Sequence, residues 1–390
     1  MFEDFEETAD LCNVLFASLP RKDQRSRAAL YLKGLLNSPG RKSVRNIARS
    51  LDGSVTDQSL HHFISASNWD WMPIRRAFAE YLFARQPIES WVVHSMAIKK
   101  SGQHSVGVER RFLPTAGRVM NVQQATAIWA LSPEITAPVD WRLHLPRGWL
   151  DDQHRRSSAA IPSDLLPQLR EDLIVELCLQ LKNNWHLPVR PVVLDARDLD
   201  IRAVVPRLHA HGIPSLSRID HSTELHVADE MLTGHRGDCL IPAGGIMKAA
   251  KGNCRRILLQ PGGELPGKMR SPRVAPVTVG FVPRSRSSVG GQVAELALLE
   301  IPAQTGSSTR TLWLTDLPTD RVGDLVRLGM ALSRVERDSA EVADKAGVRD
   351  YSGRSYGGWH RHVTLASVAH ALMMRLAADR DKLAPMEAAG

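Results

Sequence analysis

Trp91-Val92-Val93-His94-Ser95-Met96-Ala97-Ile98-Lys99-Lys100, followed by Gly102 and then His104-Ser105-Val106-Gly107-Val108, reads as two short strands joined by a basic, glycine-containing turn. Working outward toward the C-terminus, Val122 to Leu131 is a third β-like run. Three such runs with short connections predict antiparallel pairing. A loop rich in Pro and Trp follows, from His144 to Asp152. Ser163 to about Asn183 predicts an amphipathic helix, because Leu165, Leu169, Leu173, Leu177 and Leu181 recur every fourth residue and would face a core. Pro191-Val192-Val193-Leu194-Asp195 predicts a short buried strand that ends on a carboxylate, and residues 198–211 can form another helix.

Working the other way, residues 1 to about 85 read as helical. Leu11, Leu15 and Leu19 repeat at four-residue spacing, Ala28 to Leu36 continues the pattern, and Asn37-Ser38-Pro39-Gly40 stops it. Two short helices, Ser43 to Leu51 and one after Thr56-Asp57-Gln58, flank a turn at Gly53. They resemble a helix-turn-helix, with a small bundle carrying a solvated basic face as the plainer reading. Residues 214–316 are rich in Gly, Pro, Ser and Arg, with β-like runs at Val277-Thr278-Val279 and Leu296 to Ile301. Their basic residues, from Lys248, Lys251, Arg255 and Arg256 through Lys268, Arg270 and Arg273 to Arg284 and Arg286, suit either a DNA-contacting face or a solvated loop region. Long helices are expected over Thr319–Ala346, stopping at Gly347, and over Thr364–Asp381.

Strand-strand-strand-helix-strand-helix with a late helix is the order of a ribonuclease H-like α/β fold, a mixed sheet flanked by helices. The expected organisation is an N-terminal helical domain over 1–88 that could bind DNA, a first core part over 89–213, a β-rich insertion over 214–316, and the core's C-terminal helices over 317–390. With 390 residues and 43% hydrophobic content the chain can bury a large core. Its formal charge of +8 is a modest basic excess that favours a nucleic-acid partner only weakly. The four cysteines form no C-x-x-C pair and no zinc-finger spacing, so a reducing cytoplasm is expected. The acidic N-terminus is not a signal peptide, and no apolar run reaches the roughly 18 residues of a membrane span.

The opening stretch resembles the first active-site strand of the DDE transposases of bacterial insertion sequences, which reads V-V-D-D-T-G-F-P-K-K-G-x-H-S-V-G-V. Other segments keep the family's order: Tyr31 to Leu36 and Arg41-Lys42-Ser43, Leu60 to Trp69, His144 to Asp152, Leu312 to Pro318, and Tyr351 to His362, which is close to Y-E-G-R-S-W-R-G-W-H-H-H. The matches run over most of residues 30–370. The resemblance implies double-stranded DNA as partner and Mg2+ as cofactor. In that fold three carboxylates hold two divalent metals about 3.5–4 Å apart, which activate an attacking oxygen and stabilise the leaving one. Oxygen ligands are what magnesium prefers.

By this resemblance Asp195 is the second carboxylate and metal ligand, with a helix-capping role as its plain alternative. Glu336 is the third, in Leu332-Ser333-Arg334-Val335-Glu336-Arg337-Asp338, where the family carries Y-x2-R-x3-E-x6-K, with a surface ion pair as its plain alternative. Gly329, Leu332 and Ala343 stand at the other three positions of that pattern, and Ser352 stands where the family has Glu. At the first position His94 and Ser95 replace the paired acids. Ser95 is the counterpart of the metal ligand, and neither residue supplies negative charge. Losing that carboxylate should abolish or greatly weaken two-metal binding. His94 could serve as a base or ligate a softer metal, or simply pack in the sheet. It forms no dyad with Ser95, because neighbours on a strand face opposite ways. Lys99, Lys100, Arg354, His360 and His362 are candidate nucleic-acid or anion contacts, the last three also able to cap and pack the final helix.

The expectation is a transposase-like DNA-binding protein, impaired or inactive in DDE nuclease and strand-transfer chemistry. Two alternatives stand beside it. One is a repurposed fold acting on a small molecule in the old metal cleft through His94, Ser95, Asp195 and Glu336. The other is an active transposase whose first acid comes from elsewhere, with Asp70 and Glu89 nearest in sequence. A homodimer is compatible with each.

Overall fold

The computed structural model describes residues 3–227, 240–250, 255–256, 273–274, 277–280, 296–302 and 310–387. The N-terminal part is helical: α1 (Glu3–Phe16), α2 (Lys22–Asn37), α3 (Val44–Arg49), α4 (Asp57–His61, continued by a π-turn over His62–Ala66) and α5 (Met72–Arg85). On α2, Ala28, Tyr31, Leu32 and Leu35 form one buried stripe, and the chain leaves the helix before Pro39. Ser43 caps α3 and Thr56 caps α4, each side chain accepting a backbone N–H at 3.2 Å. Between them the chain turns through Asp52 and Gly53, both at positive φ.

Next come β1 (Ser90–Lys99), β2 (Val108–Leu113), β3 (Arg118–Leu131), β4 (Thr136–Leu143), the short α6 (Arg147–Leu150) and α7 (Gln153–Ser158), and α8 (Arg170–Leu179). β5 (Val192–Asp195), α9 (Ile201–Ala210) and β6 (Ser215–Ile219) follow. A strand-rich part then holds β7 (Glu224–Val227), β8 (Leu240–Pro242), α10 (Ala243–Ala249), β9 (Arg255–Arg256), β10 (Arg273–Val274), β11 (Val277–Gly280), β12 (Leu296–Pro302) and β13 (Arg310–Thr315). The long helices α11 (Val322–Lys345) and α12 (Tyr356–Glu387) close the chain. Among the described residues no helix is long and apolar enough to cross a membrane.

The chain divides into two compact units. One comprises Met1–Glu89, His94–Leu173 and Val335–Gly390; the other comprises Ser90–Val93 and Ile174–Arg334. In the first, β3 is the central strand. It pairs antiparallel with β2 over Arg118–Gln123 and with β4 over Ala125–Leu131. β1 lies on its other edge, with Glu89 N donating to Leu131 O and Lys100 N to Asn121 O, each at 2.9 Å. α12 packs on β4, α2, α5 and the π-turn, and is buried without interruption from Gly358 to Ala371. In the second unit the start of β1 runs parallel to β5, β5 runs parallel to β6, and β13, β12, β11, β7 and β8 continue the sheet antiparallel. The orders β4-β3-β1 and β1-β5-β6 are those of a ribonuclease H-like fold, here with an N-terminal helical part and a β-rich insertion.

Several element expectations need correction. Ser163 to Leu169 is not helical: α8 begins at Arg170, and Leu166 and Leu169 are exposed. Pro167 lacks an N–H and disfavours helix at the residue before it. The segment 105–107 is a turn and not a strand, with Gly107 at φ 74°, where an added Cβ would stand 3.0 Å from His144 O. The sequence does not predict β4, because Pro138 interrupts its alternation. The structure accommodates the missing N–H on an outer strand, opposite a register shift at Ile128/Trp129. The last helix starts eight residues early, at Tyr356, through Gly357 and Gly358. Gly358 is needed there because any side chain would run into the Tyr351 hydroxyl. Of the basic residues in the insertion, Lys248 lies on α10 and Arg255, Arg256 and Arg273 on the short β9 and β10; the rest lie outside the described residues.

Candidate active site

β1 is buried on both faces at its start, from Ser90 to Val93, and opens to solvent from His94 onward. Val92 and Val93 are buried, His94 is half-buried and Ser95 is exposed. The His94 ring meets Trp129 of β3 edge-on at 6.2 Å, and Trp129 meets His370 of α12 in the same way at 5.2 Å. His370 in turn bonds Thr136 O through Nε2 at 2.8 Å. His94 therefore borders an aromatic column that reaches from the strand to the last helix. On the opposite side of β1, Ser95 Oγ lies 2.9 Å from Thr126 Oγ1 of β3, two neutral hydroxyls joined across the ladder.

In the other unit, Val192, Val193 and Leu194 are fully buried and Asp195 ends the strand with its side chain 29% exposed. The parallel register sets Asp195 beside Arg218 of β6, whose Nη2 donates to Oδ2. Two residues further along, Arg197 grips the same carboxylate with both Nε and Nη2, at 2.9 and 2.7 Å. Burial would raise the Asp195 carboxyl, but hydrogen bonds and charge from Arg197 and Arg218 outweigh it and hold the group down at about 2. Asp195 is thus held as an anion whose charge is answered by two guanidinium groups.

Glu336 sits half-buried on α11, one residue after the fully buried Val335. Two residues on, Asp338 is buried and accepts from Thr136 Oγ1 at 2.9 Å and Arg337 Nε at 3.2 Å. Among the described residues no group of three or more His, Cys, Asp and Glu is arranged to hold a metal ion. With an imidazole and a hydroxyl at 94 and 95, and with Asp195 engaged by two arginines, the residues present do not fit the pair of divalent cations that the family resemblance implies.

The candidate contact residues divide by exposure. Lys99 and Arg354 are exposed. Lys100 donates from Nζ to Tyr351 O at 2.7 Å, and burial, with Arg41 nearby, lowers its ammonium to about 8. His360 is buried, stacked on Trp71 at 4.7 Å, with Arg75 donating to its Nδ1 at 3.1 Å. His362 is buried between Gly347 O, 2.7 Å from Nε2, and the Tyr31 hydroxyl, 2.8 Å from Nδ1. A carbonyl only accepts, so Nε2 carries the proton and Tyr31 donates to Nδ1. Both imidazoles bond inward and serve the packing of α12.

Two groups central to this geometry left no local sign in the sequence. Arg218 reaches Asp195 only because β5 and β6 are register neighbours. Arg75 of α5 and Asp140 of β4 form a fully buried pair at 2.8 Å across 65 residues of chain.

The relationship to known proteins agrees with this architecture. A family model described as DDE superfamily endonuclease matches residues 14–238, more than half of the chain. None of the curated proteins compared with the chain matches it. With the ribonuclease H-like strand order, a carboxylate closing β5 and this match, the chain belongs to the DDE superfamily endonucleases.

Proposed function

We propose that this protein is a transposase-like protein that binds duplex DNA and is impaired in, or has lost, DDE nuclease and strand-transfer chemistry. The observation that carries the reading is the state of the carboxylate positions. Asp195 is paired with Arg197 and Arg218, and His94 and Ser95 bring no negative charge to β1. A magnesium ion approaching Asp195 would have to displace two cations from it, without the first-strand carboxylate that makes such a site favourable. DNA binding is supported by the family itself and by the chain's positive charge. Lys99 and Arg354 are the exposed candidates for phosphate contact.

The test is fluorescence anisotropy with random duplex DNA across a salt series, alongside nicking of supercoiled plasmid with and without magnesium. Binding that weakens steeply with salt, with no magnesium-dependent nicking, is the expected result. Nicking that requires magnesium and disappears in Asp195→Ala would restore the active-transposase alternative. Absence of binding at low salt would remove the DNA reading and direct attention to small ligands.

The arginine clamp is separately testable. In Arg218→Gln the Asp195 carboxyl should titrate well above its present value of about 2, toward the ordinary aspartate range, as followed by carboxyl-carbon NMR. An unchanged titration would mean that Arg218 does not hold the anion.

A further inference from the structure

β2 and the start of β3 form a two-stranded ribbon at the end of the sheet, solvent-exposed on both faces toward its turn. From Arg110 to Phe112, and again at Arg118 and Val119, side chains on both faces are exposed, whereas Val108 and Gln123 at its root are buried. The register pairs Phe112 directly with Val119, which are 57% and 51% exposed. Directly opposed residues share a face, so these two make one apolar tip. Arg110 is next on that face, opposite Asn121; Arg111 and Arg118 occupy the other. The turn is preset: Pro114–Ala116 forms a 3-10 turn closed by Gly117, at φ 62°, whose N–H donates to Pro114 O at 3.2 Å. Charged side chains on an outer strand are ordinary protection against edge-to-edge pairing. That accounts for the arginines but not for an aromatic and a β-branched side chain held together in water, with no core to receive them.

We propose that this ribbon is a DNA-deforming arm: Phe112 and Val119 wedge between base steps of a duplex while Arg110, Arg111 and Arg118 hold the flanking phosphates. The inference rests on the duplex-binding reading above. Apolar side chains inserted between base steps unstack them and kink the duplex, and the accompanying basic residues track the backbone. A second copy of the chain is the less fitting occupant. Apposing two such tips would bring three arginines against three, and the nearby Glu109 is already 3.4 Å from Arg111. Toward the root of the ribbon, Arg110 and Arg155 line a cavity of about 320 Å3 beside Trp149, together with Glu109.

The test uses the full chain and a 30-base-pair duplex carrying end-labelled fluorophores for bending and an internal 2-aminopurine for unstacking. Wild type should bend the duplex and brighten 2-aminopurine. Phe112→Ser combined with Val119→Ser should bind at low salt within about threefold of wild type, yet lose both signals, since the phosphates carry most of the affinity. Arg110→Gln, Arg111→Gln and Arg118→Gln together should flatten the log-log salt slope by about 3, roughly one for each phosphate no longer neutralised. Salt-dependent binding by wild type without bending or unstacking, with both variants behaving like wild type, would overturn the ribbon proposal and leave DNA binding standing. No duplex binding by wild type would overturn both. A wild-type dimer in sedimentation equilibrium that dissociates in the Phe112→Ser, Val119→Ser variant would assign the tip to self-association and overturn the proposal.

Discussion

Replacing Arg75 with Ala should lower the unfolding free energy by about 3–5 kcal/mol, read as a shifted denaturation midpoint with little change in slope. Arg75 is 1% exposed and Asp140 is not exposed at all. The guanidinium donates to Asp140 Oδ1 at 2.8 Å, Trp141 O at 3.0 Å, Thr364 Oγ1 at 2.7 Å, and His360 Nδ1 and O at 3.1 and 3.2 Å. It therefore joins α5 to β4 and to α12. Removing it strips five acceptors of a donor and leaves the buried Asp140 anion with Arg142 as its remaining cationic partner, at 2.8 Å. The pair need not be worth that much in itself, because desolvation of two charges offsets most of their attraction. The double variant Arg75→Met, Asp140→Leu should therefore recover much of the loss suffered by Arg75→Ala. A cost below about 1 kcal/mol for the single variant would mean that the network is not coupled to folding, as it would be for an ordinary surface ion pair.

The contrast between that network and the carboxylate positions explains what could be read in advance. Asp195 was legible because three buried β-type residues end on a charge, a local pattern. The strand that carries His94 and Ser95 was legible because the apolar Trp91, Val92 and Val93 open it, again a local pattern. α11 was legible together with its stop at Gly347, and the resemblance to the family rested on motifs kept in order along the chain. What escaped was non-local. No spacing rule connects Arg218 to Asp195 or Arg75 to Asp140, since each pair meets only through sheet register or helix packing. Where local signals did mislead, individual prolines and glycines were responsible. Pro138 hides β4, Gly357 and Gly358 hide the first turns of α12, and the leucine spacing across Ser163 to Leu169 suggests a helix that Pro167 prevents. The exposed tip of Phe112 and Val119 was invisible for the converse reason: in sequence, apolar residues of a strand look the same whether or not a core lies beneath them.

Lowering the pH from 7 to 4 should unfold the protein, and the cause lies in α12. His362 and His370 are buried, and burial, the largest influence on each, lowers both to about 4; His360 is lowered well below the ordinary value by burial and by Arg75, Arg142 and Arg361. These are depressed bases. Between the unfolded value of about 6.5 and the folded value, the unfolded chain binds protons that the native state refuses, so stability falls as pH drops through that window and levels off below it. The geometry supplies the reason. A proton on His362 Nδ1 would face the Tyr31 hydroxyl that now donates to it. A proton on His370 Nδ1 would be a buried donor without a hydrogen-bond partner, and His360 Nδ1 already accepts from Arg75. At 1.36 kcal/mol per pKa unit, His362 and His370 each account for about 3 kcal/mol, and their sum is comparable with the whole stability of a typical domain. Urea unfolding at pH 7, 6 and 5 should show a steadily falling midpoint, and His370→Gln should flatten that fall by removing one proton's worth of linkage. A midpoint that holds constant down to pH 5 would mean that these imidazoles are hydrated in the native state and that α12 is not the closed, buried helix described above.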